Sequence, residues 1–258
     1  MPVRLAIRPL LAAGNLVFRG RWLVGALIAM IAAASTLAAA QSAPAPPAAS
    51  TPAAPAPTPA PPRFVVVLDA AHGGDDLGGS LTNNQQEKTI TLALSARLRS
   101  LLEARGIPVA ATRDADTTVE VNRRAEIANH TNAQACLSLH ASESGSGIHL
   151  FVSSLAPAPP TRFAAWKTAQ SAWVTRSLAL AGTLNSDLLQ AGMTVTLGRT
   201  SLPVVDSMAC PAVAIEIAPE RGPGKKIDAE LDDPDYQARV AAALAAALLD
   251  WRSEVRQP

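Results

Sequence analysis

Residues 64–74 read FVVVLDAAHGG. A continuous apolar run holding three valines marks a strand buried on both faces, as in a parallel sheet covered by helices. The run ends at Asp69, and two alanines later the chain reaches His72 and a glycine pair. Working outward, residues 87–105 place Ile90, Leu94, Leu98 and Leu101 at helical spacing, with Gly106 as the stop. Residues 107–112 form a second strand and residues 119–129 a helix with Val121, Ala125 and Ala128 on one face. Residues 135–140 (ACLSLH) and 148–152 read as strands, 168–190 as a long helix ended by Gly192, 212–217 (AVAIEI) as a strand, and 236–251 as a closing helix. Strand and helix alternate throughout, which predicts an α/β domain with three αβα layers around a mostly parallel, twisted sheet.

The 258 residues sum to a net charge of +1, but the two parts differ. Residues 1–62 carry Arg4, Arg8, Arg19 and Arg21 with no acid, so residues 63–258 are left at −3. A slightly acidic domain is a poor polyanion binder, which argues against nucleic acid as a partner. Hydrophobic residues make up 48% and aromatics only 3%, so the core must be built from Ala, Val, Leu and Ile. Two cysteines exclude a disulfide-framework fold and a cysteine-based structural zinc site.

Residues 1–40 read as a targeting segment: a basic stretch, the apolar run LVGALIAMIAAA at 23–34, and Ala38-Ala39-Ala40 as a cleavage site before Gln41. Its alternative is an uncleaved anchor, a tether to the inner membrane through residues 23–40. In either case the rest of the chain is expected outside the cytoplasm, in the periplasm. No cysteine follows the apolar run, so a lipoprotein anchor is not expected. Residues 41–62 hold 17 Ala or Pro in 22 positions. Proline there blocks helix and ladder alike, predicting a disordered, extended linker. The folded domain is expected to be residues 63–258.

In parallel sheets, chemistry collects at the carboxyl ends of strands. Four residues sit there or nearby: His72, His140 at the end of ACLSLH, Glu216 inside the apolar AVAIEI, and Glu87 opening the first helix. Two imidazoles and a carboxylate are a usual set for a catalytic zinc ion. Each residue also has a plainer reading. A histidine after a strand is commonly a loop residue, and Glu87 alone is a first-turn acid favoured by the helix dipole. Glu216 resists dismissal, because a carboxylate in a buried strand needs a partner.

Taken in order, these blocks resemble one family. Asp69-x-x-His72-Gly73-Gly74, Glu87-Lys88, Thr112-Arg113-Asp114, Arg124 with Ala128-Asn129, Ser138-Leu139-His140-Ala141 and residues 211–217 (PAVAIEI) follow one another as in the zinc-dependent N-acetylmuramoyl-L-alanine amidases of the AmiA/AmiB/AmiC type. The resemblance implies one zinc ion held by His72, Glu87 and His140, with Glu216 as the catalytic acid–base. It implies a periplasmic enzyme acting on peptidoglycan, a protein activator as partner, and a monomer. The flanks depart from the family: Ala70-Ala71 precede the first histidine where Pro-Gly is usual, Ser142 stands for Asn, and Ala218-Pro219 for Gly-Phe. The segment 152–168 is too short for the inserted autoinhibitory helix of some members.

Lesser residues have weaker readings. Asp69 is expected either to orient a ligand histidine or to cap its loop. Arg113 and Arg124 are expected to pair with Asp114 or Asp116. His130 is expected in solvent, and His149, on a strand with apolar neighbours, is a lesser candidate to lie near the site. Cys136 and Cys210 read more readily as buried free thiols than as a bridge. Two rival functions stand beside the amidase: a non-catalytic wall-binding module of the same fold, and a zinc peptidase acting on wall peptides.

Overall fold

The computed structural model describes residues 63–161 and 165–256. The expected targeting segment and linker lie outside them. The central sheet contains β1 (Val66–Ala70), β2 (Val109–Ala111), β3 (Ala135–Ala141), β4 (Ile148–Ser153), β5 (Val195–Thr200) and β6 (Ala212–Ile217), in the order β2-β1-β3-β6-β4-β5. Strands β2, β1, β3 and β6 run parallel, whereas β4 is antiparallel to β6 and carries β5 parallel to itself. A mostly parallel sheet in an α/β layering is therefore present. The reversal of β4 follows from its connection: only six residues separate Ala141 from Ile148, too few for a parallel crossover.

Helices α1 (Glu87–Glu103), α3 (Val174–Gln190) and α5 (Pro234–Glu254) cover one face, and α2 (Val121–His130) with the short α4 (Pro203–Asp206) covers part of the other. A small hairpin, β7 (Glu220–Arg221) and β8 (Ile227–Ala229), follows β6. Period-two alternation sorts the side chains. Val66, Leu68, Leu137, Leu139, Val213 and Ile215 join Leu94, Leu98, Leu184 and Leu244 in the larger core. Each fully buried leucine there stabilises the fold by about 2 kcal/mol. Val67, Cys136, Ala212 and Ala214 point the other way, into a smaller core with Ala128, Val205 and Met208. Small residues on that face let α2 and α4 lie close to the sheet, and where these two helices stop, the sheet face lies open.

Four local expectations are corrected. Cys136 and Cys210 are bonded to each other, with Cα atoms 6.3 Å apart. The free-thiol reading failed because β6 inserts beside β3, a neighbour 74 residues away in sequence. The helix expected over 168–190 begins at Val174; before it the chain makes a separate turn, Trp166–Ala172, with non-helical backbone at Thr168. Buried Gln170 fixes that break by donating from Nε2 to the carbonyls of Met208 and Cys210. The strand expected over 107–112 is cut to Val109–Ala111, because Ile107 folds back onto the Leu102 carbonyl to end α1. Strand β5 was not anticipated at all: an edge strand with mostly exposed residues (VTLGRT) carries no apolar alternation to read.

Candidate metal centre

The centre is assembled from three elements. Beyond β1 the backbone turns at His72 into a left-handed conformation, φ +62°, which costs a non-glycine residue roughly 1–3 kcal/mol. Arg124 holds it there, donating from Nη2 to the His72 carbonyl at 2.6 Å. Glu87 opens α1 and is 7% exposed. His140 occupies the last turn of the β3 pleat, on the same face as Ser138 and Cys136. Gly78 lets these parts meet: a Cβ there would lie 2.7 Å from His72 Cδ2 and 2.8 Å from Glu87 Cβ.

The three side chains converge. His72 Nε2 is 3.1 Å from Glu87 Oε2, and His140 Nδ1 is 3.0 Å from Glu87 Oε1. One ligand atom from each residue lies within 4.8 Å of the others. The backbone N–H groups of Gly79 and Ala141 donate to the same carboxylate at 2.9 and 3.2 Å. Burial pushes the Glu87 carboxyl up, but hydrogen bonds from His140, His72 and the Gly79 N–H outweigh it, and the net places it well below the ordinary carboxylate range. The hydrogen bond to Glu87 raises the His72 pKa against the opposing effect of burial, and Asp76 adds to the rise. Two imidazole nitrogens and an anionic oxygen facing one point are the donor chemistry of a catalytic divalent-metal site, so the residues present fit a zinc ion.

A second layer fixes these donors. Asp76 Oδ2 is 2.9 Å from His72 Nδ1, the nitrogen turned away from Glu87. Behind His140, its Nε2 is 3.4 Å from Ser138 Oγ, which donates to Asp69 Oδ2 at 2.7 Å. Asp69 Oδ1 accepts from Thr112 Oγ1 at 2.7 Å and Arg124 Nη1 at 2.8 Å. Asp69 is 1% and Arg124 4% exposed, so this ion pair is buried and removal of either partner would cost about 3–5 kcal/mol. A cavity of about 390 Å³ opens over the centre, lined by His72, Asp76, Arg124, His140 and the α4 residues Pro203 and Val204 among others. A larger recess of about 610 Å³ between α1 and β2 lies away from these donors.

Glu216 sits on β6 directly opposite His140 of β3. It is the one partly exposed residue in an otherwise buried strand. The pairing of Arg113 and Arg124 with Asp114 or Asp116 is corrected. Arg124 pairs with Asp69, and Arg113 donates to the carbonyls of Ala70, Ala71 and Lys88. Asp116 is taken instead by Lys88 at 2.8 Å. The reason is geometric: both arginines face the exit of β1, where carbonyls leave the ladder unpaired. Asp69 does not cap its loop, and it reaches His140 only through Ser138. His130 is exposed, with Nδ1 2.7 Å from the Glu126 carbonyl. His149, a lesser candidate in the sequence, lies opposite Glu216 on β4. Sequence reasoning missed Asp76 and Ser138. Their signals were an acid four residues after His72 in a glycine-rich loop, and a hydroxyl two before His140 on the same strand face.

Comparison with known proteins agrees with this geometry. A family model described as N-acetylmuramoyl-L-alanine amidase matches residues 66–250. The N-acetylmuramoyl-L-alanine amidase AmiA of Escherichia coli K12 is 42% identical over 77 residues, 30% of this chain and 27% of that protein. The match thus spans about a quarter of that relative's length. Among solved structures, the catalytic domain of CwlV, an N-acetylmuramoyl-L-alanine amidase from Bacillus (Paenibacillus) polymyxa, superposes with a TM-score of 0.58 at 26% identity, covering 74% of this chain and 98% of that one. The CwlD amidase of Clostridioides difficile, solved in complex with the GerS lipoprotein, shares the fold with a TM-score of 0.58 at 20% identity, covering 74% of this chain and all of that one. The family match takes in β1 through most of α5, and with it every residue of the centre: the chain belongs to the N-acetylmuramoyl-L-alanine amidase family.

Proposed function

We propose that residues 63–258 form a zinc-dependent hydrolase that cleaves the amide between N-acetylmuramic acid and L-alanine in peptidoglycan. The convergence of His72, Glu87 and His140 on one point, with Glu216 on the adjoining strand, is the observation that carries this reading. His72, Glu87 and His140 would hold a single zinc ion, which supplies Lewis acidity for activating water and polarising the scissile carbonyl. The remaining chemistry belongs to the chain. Asp76 and the Ser138–Asp69 pair keep the two imidazoles oriented through their outward nitrogens. Glu216 takes the proton of the attacking water as general base. It then delivers that proton to the leaving amine of L-alanine, as general acid. The cavity above the centre admits the lactyl–alanine segment of the polymer.

Export follows from this substrate. Residues 1–40 would act as a signal peptide or as a membrane tether, and residues 41–62 as the linker. Among the described residues no helix is long and apolar enough to cross a membrane. A protein activator belongs to the same proposal; CwlD, which shares the fold, was solved in complex with the GerS lipoprotein.

Digestion of purified sacculi tests the reading. The zinc-loaded protein should release free L-alanine amino termini, and chelation should stop it. New termini on D-residues would favour a zinc peptidase. Bound zinc without any release, or no zinc at all, would favour a wall-binding module.

A further inference from the structure

A row of polar side chains crosses four strands at the height of His140. Glu216 of β6 stands opposite His140 on one side and opposite His149 of β4 on the other. His149 stands in turn opposite Thr196 of β5. Residues directly opposite in neighbouring strands present their side chains on one face within contact range. The imidazole of His149 is therefore the β4 neighbour of the Glu216 carboxylate, and neither the zinc ligand set nor the proton transfers above use it.

The ring of His149 is fixed at both ends. Its Nδ1 lies 2.6 Å from Thr196 Oγ1. Its Nε2 is buried without a hydrogen-bond partner, covered by Gly145 of the β3–β4 loop. A Cβ at Gly145 would lie 2.4 Å from that nitrogen, and the residue's φ is +84°, so glycine is needed twice over. Arg221 clamps the loop, donating from Nε to the Gly145 carbonyl at 3.0 Å and from its backbone N–H to Ser146 Oγ at 3.0 Å. A buried imidazole nitrogen left unpaired is destabilising, so the position of this ring is maintained at some cost.

Glu216 is the opposite case. Among the described residues its carboxylate accepts no hydrogen bond from the protein, so the walls around it set its direction. We propose that His149 is a positioning residue for Glu216. The fixed ring closes the β4 side of the carboxylate and confines it to the side facing His140, where the water and the leaving amine must be reached. This inference rests on the amidase reading of Glu216.

Steady-state kinetics on solubilised peptidoglycan fragments test it, using the zinc-loaded full chain. His149→Ala should lower kcat about 10- to 100-fold, the scale of an ångström-level misplacement, with KM within about twofold and zinc content unchanged. Thr196→Val, at an exposed edge position, frees the ring and should lower kcat about threefold; it carries the test if His149→Ala fails to fold. In a Glu216→Gln background the His149→Ala change should have no further effect. Unchanged kcat in His149→Ala, a loss confined to KM, or an equal loss in the Glu216→Gln background would each overturn the proposal. A wild-type protein that releases no L-alanine termini would sink the amidase reading instead. Crystal structures then decide positioning by themselves: one Glu216 rotamer in the wild type and several in His149→Ala support it, and the same single rotamer in both refutes it.

Discussion

Glu87 is held by two imidazoles and two backbone N–H groups, while Glu216, one strand away from His140, is held by none of the protein's donors among the described residues. The contrast suits the proposed roles of ligand and proton carrier: one carboxylate is immobilised and kept anionic, and the other is held by no protein donor among the described residues. His140→Ala should therefore abolish both zinc binding and hydrolysis, checked by metal content and turnover on the same preparation; full activity in a metal-loaded variant would refute its role. Glu216→Gln should bind zinc as well as the wild type while hydrolysis falls roughly 10²–10⁴-fold. Loss of zinc in that variant would mean that the roles of Glu87 and Glu216 are exchanged. His140 and Glu216 stand out in the sequence because each interrupts an apolar strand, whereas His72 in a glycine-rich loop and Glu87 after the polar run 83–86 have plainer readings that only the family resemblance sets aside. Asp76 and Ser138 were not legible, since a loop acid and a strand serine look like ordinary solvated or capping groups until the fold brings them behind the histidines.

At the level of elements, β3 and β6 carry the site at one end and the Cys136–Cys210 bond at the other. The two cysteines precede His140 by four residues and Glu216 by six, which along a strand is roughly 13–20 Å. The bond closes a loop of 74 residues, restricting the unfolded chain by about 4 kcal/mol. For a domain of this size that corresponds to about 10 °C in Tm. Cys136→Ala/Cys210→Ala should melt about 10 °C lower by calorimetry, with zinc content intact, and a reductant should lower the wild-type Tm but leave that of the double variant alone. Equal melting temperatures for both proteins would show that the bond contributes nothing. The bridge escaped sequence reading for the same reason as β5 and the order of the sheet. Local patterns name a strand but not its neighbours, and an exposed edge strand lacks even the pattern.

For the whole molecule, the family match begins at Val66 and the first buried side chain of the described residues is Phe64, 4% exposed. Residues 41–62 offer no periodic apolar face that could dock on the domain. In the sheet, β1 is flanked by β2 and β3, so no ladder position in the middle of the described sheet waits for a strand from upstream. A chain starting at Arg63 should therefore fold, bind zinc and hydrolyse solubilised peptidoglycan fragments with the kcat/KM of the longer form. What the shorter chain should lose is its address. With residues 23–40 retained and uncleaved, the protein should sediment with the membrane fraction; with cleavage before Gln41 it should appear in the soluble periplasm; and a chain starting at Arg63, which lacks the targeting segment, should stay soluble in the cytoplasm. Cell fractionation with an antibody to the domain distinguishes the three, and the measured mass of the mature form fixes the cleavage site. An insoluble or zinc-free protein starting at Arg63 would instead show that the Ala/Pro segment packs against the domain and belongs to its fold.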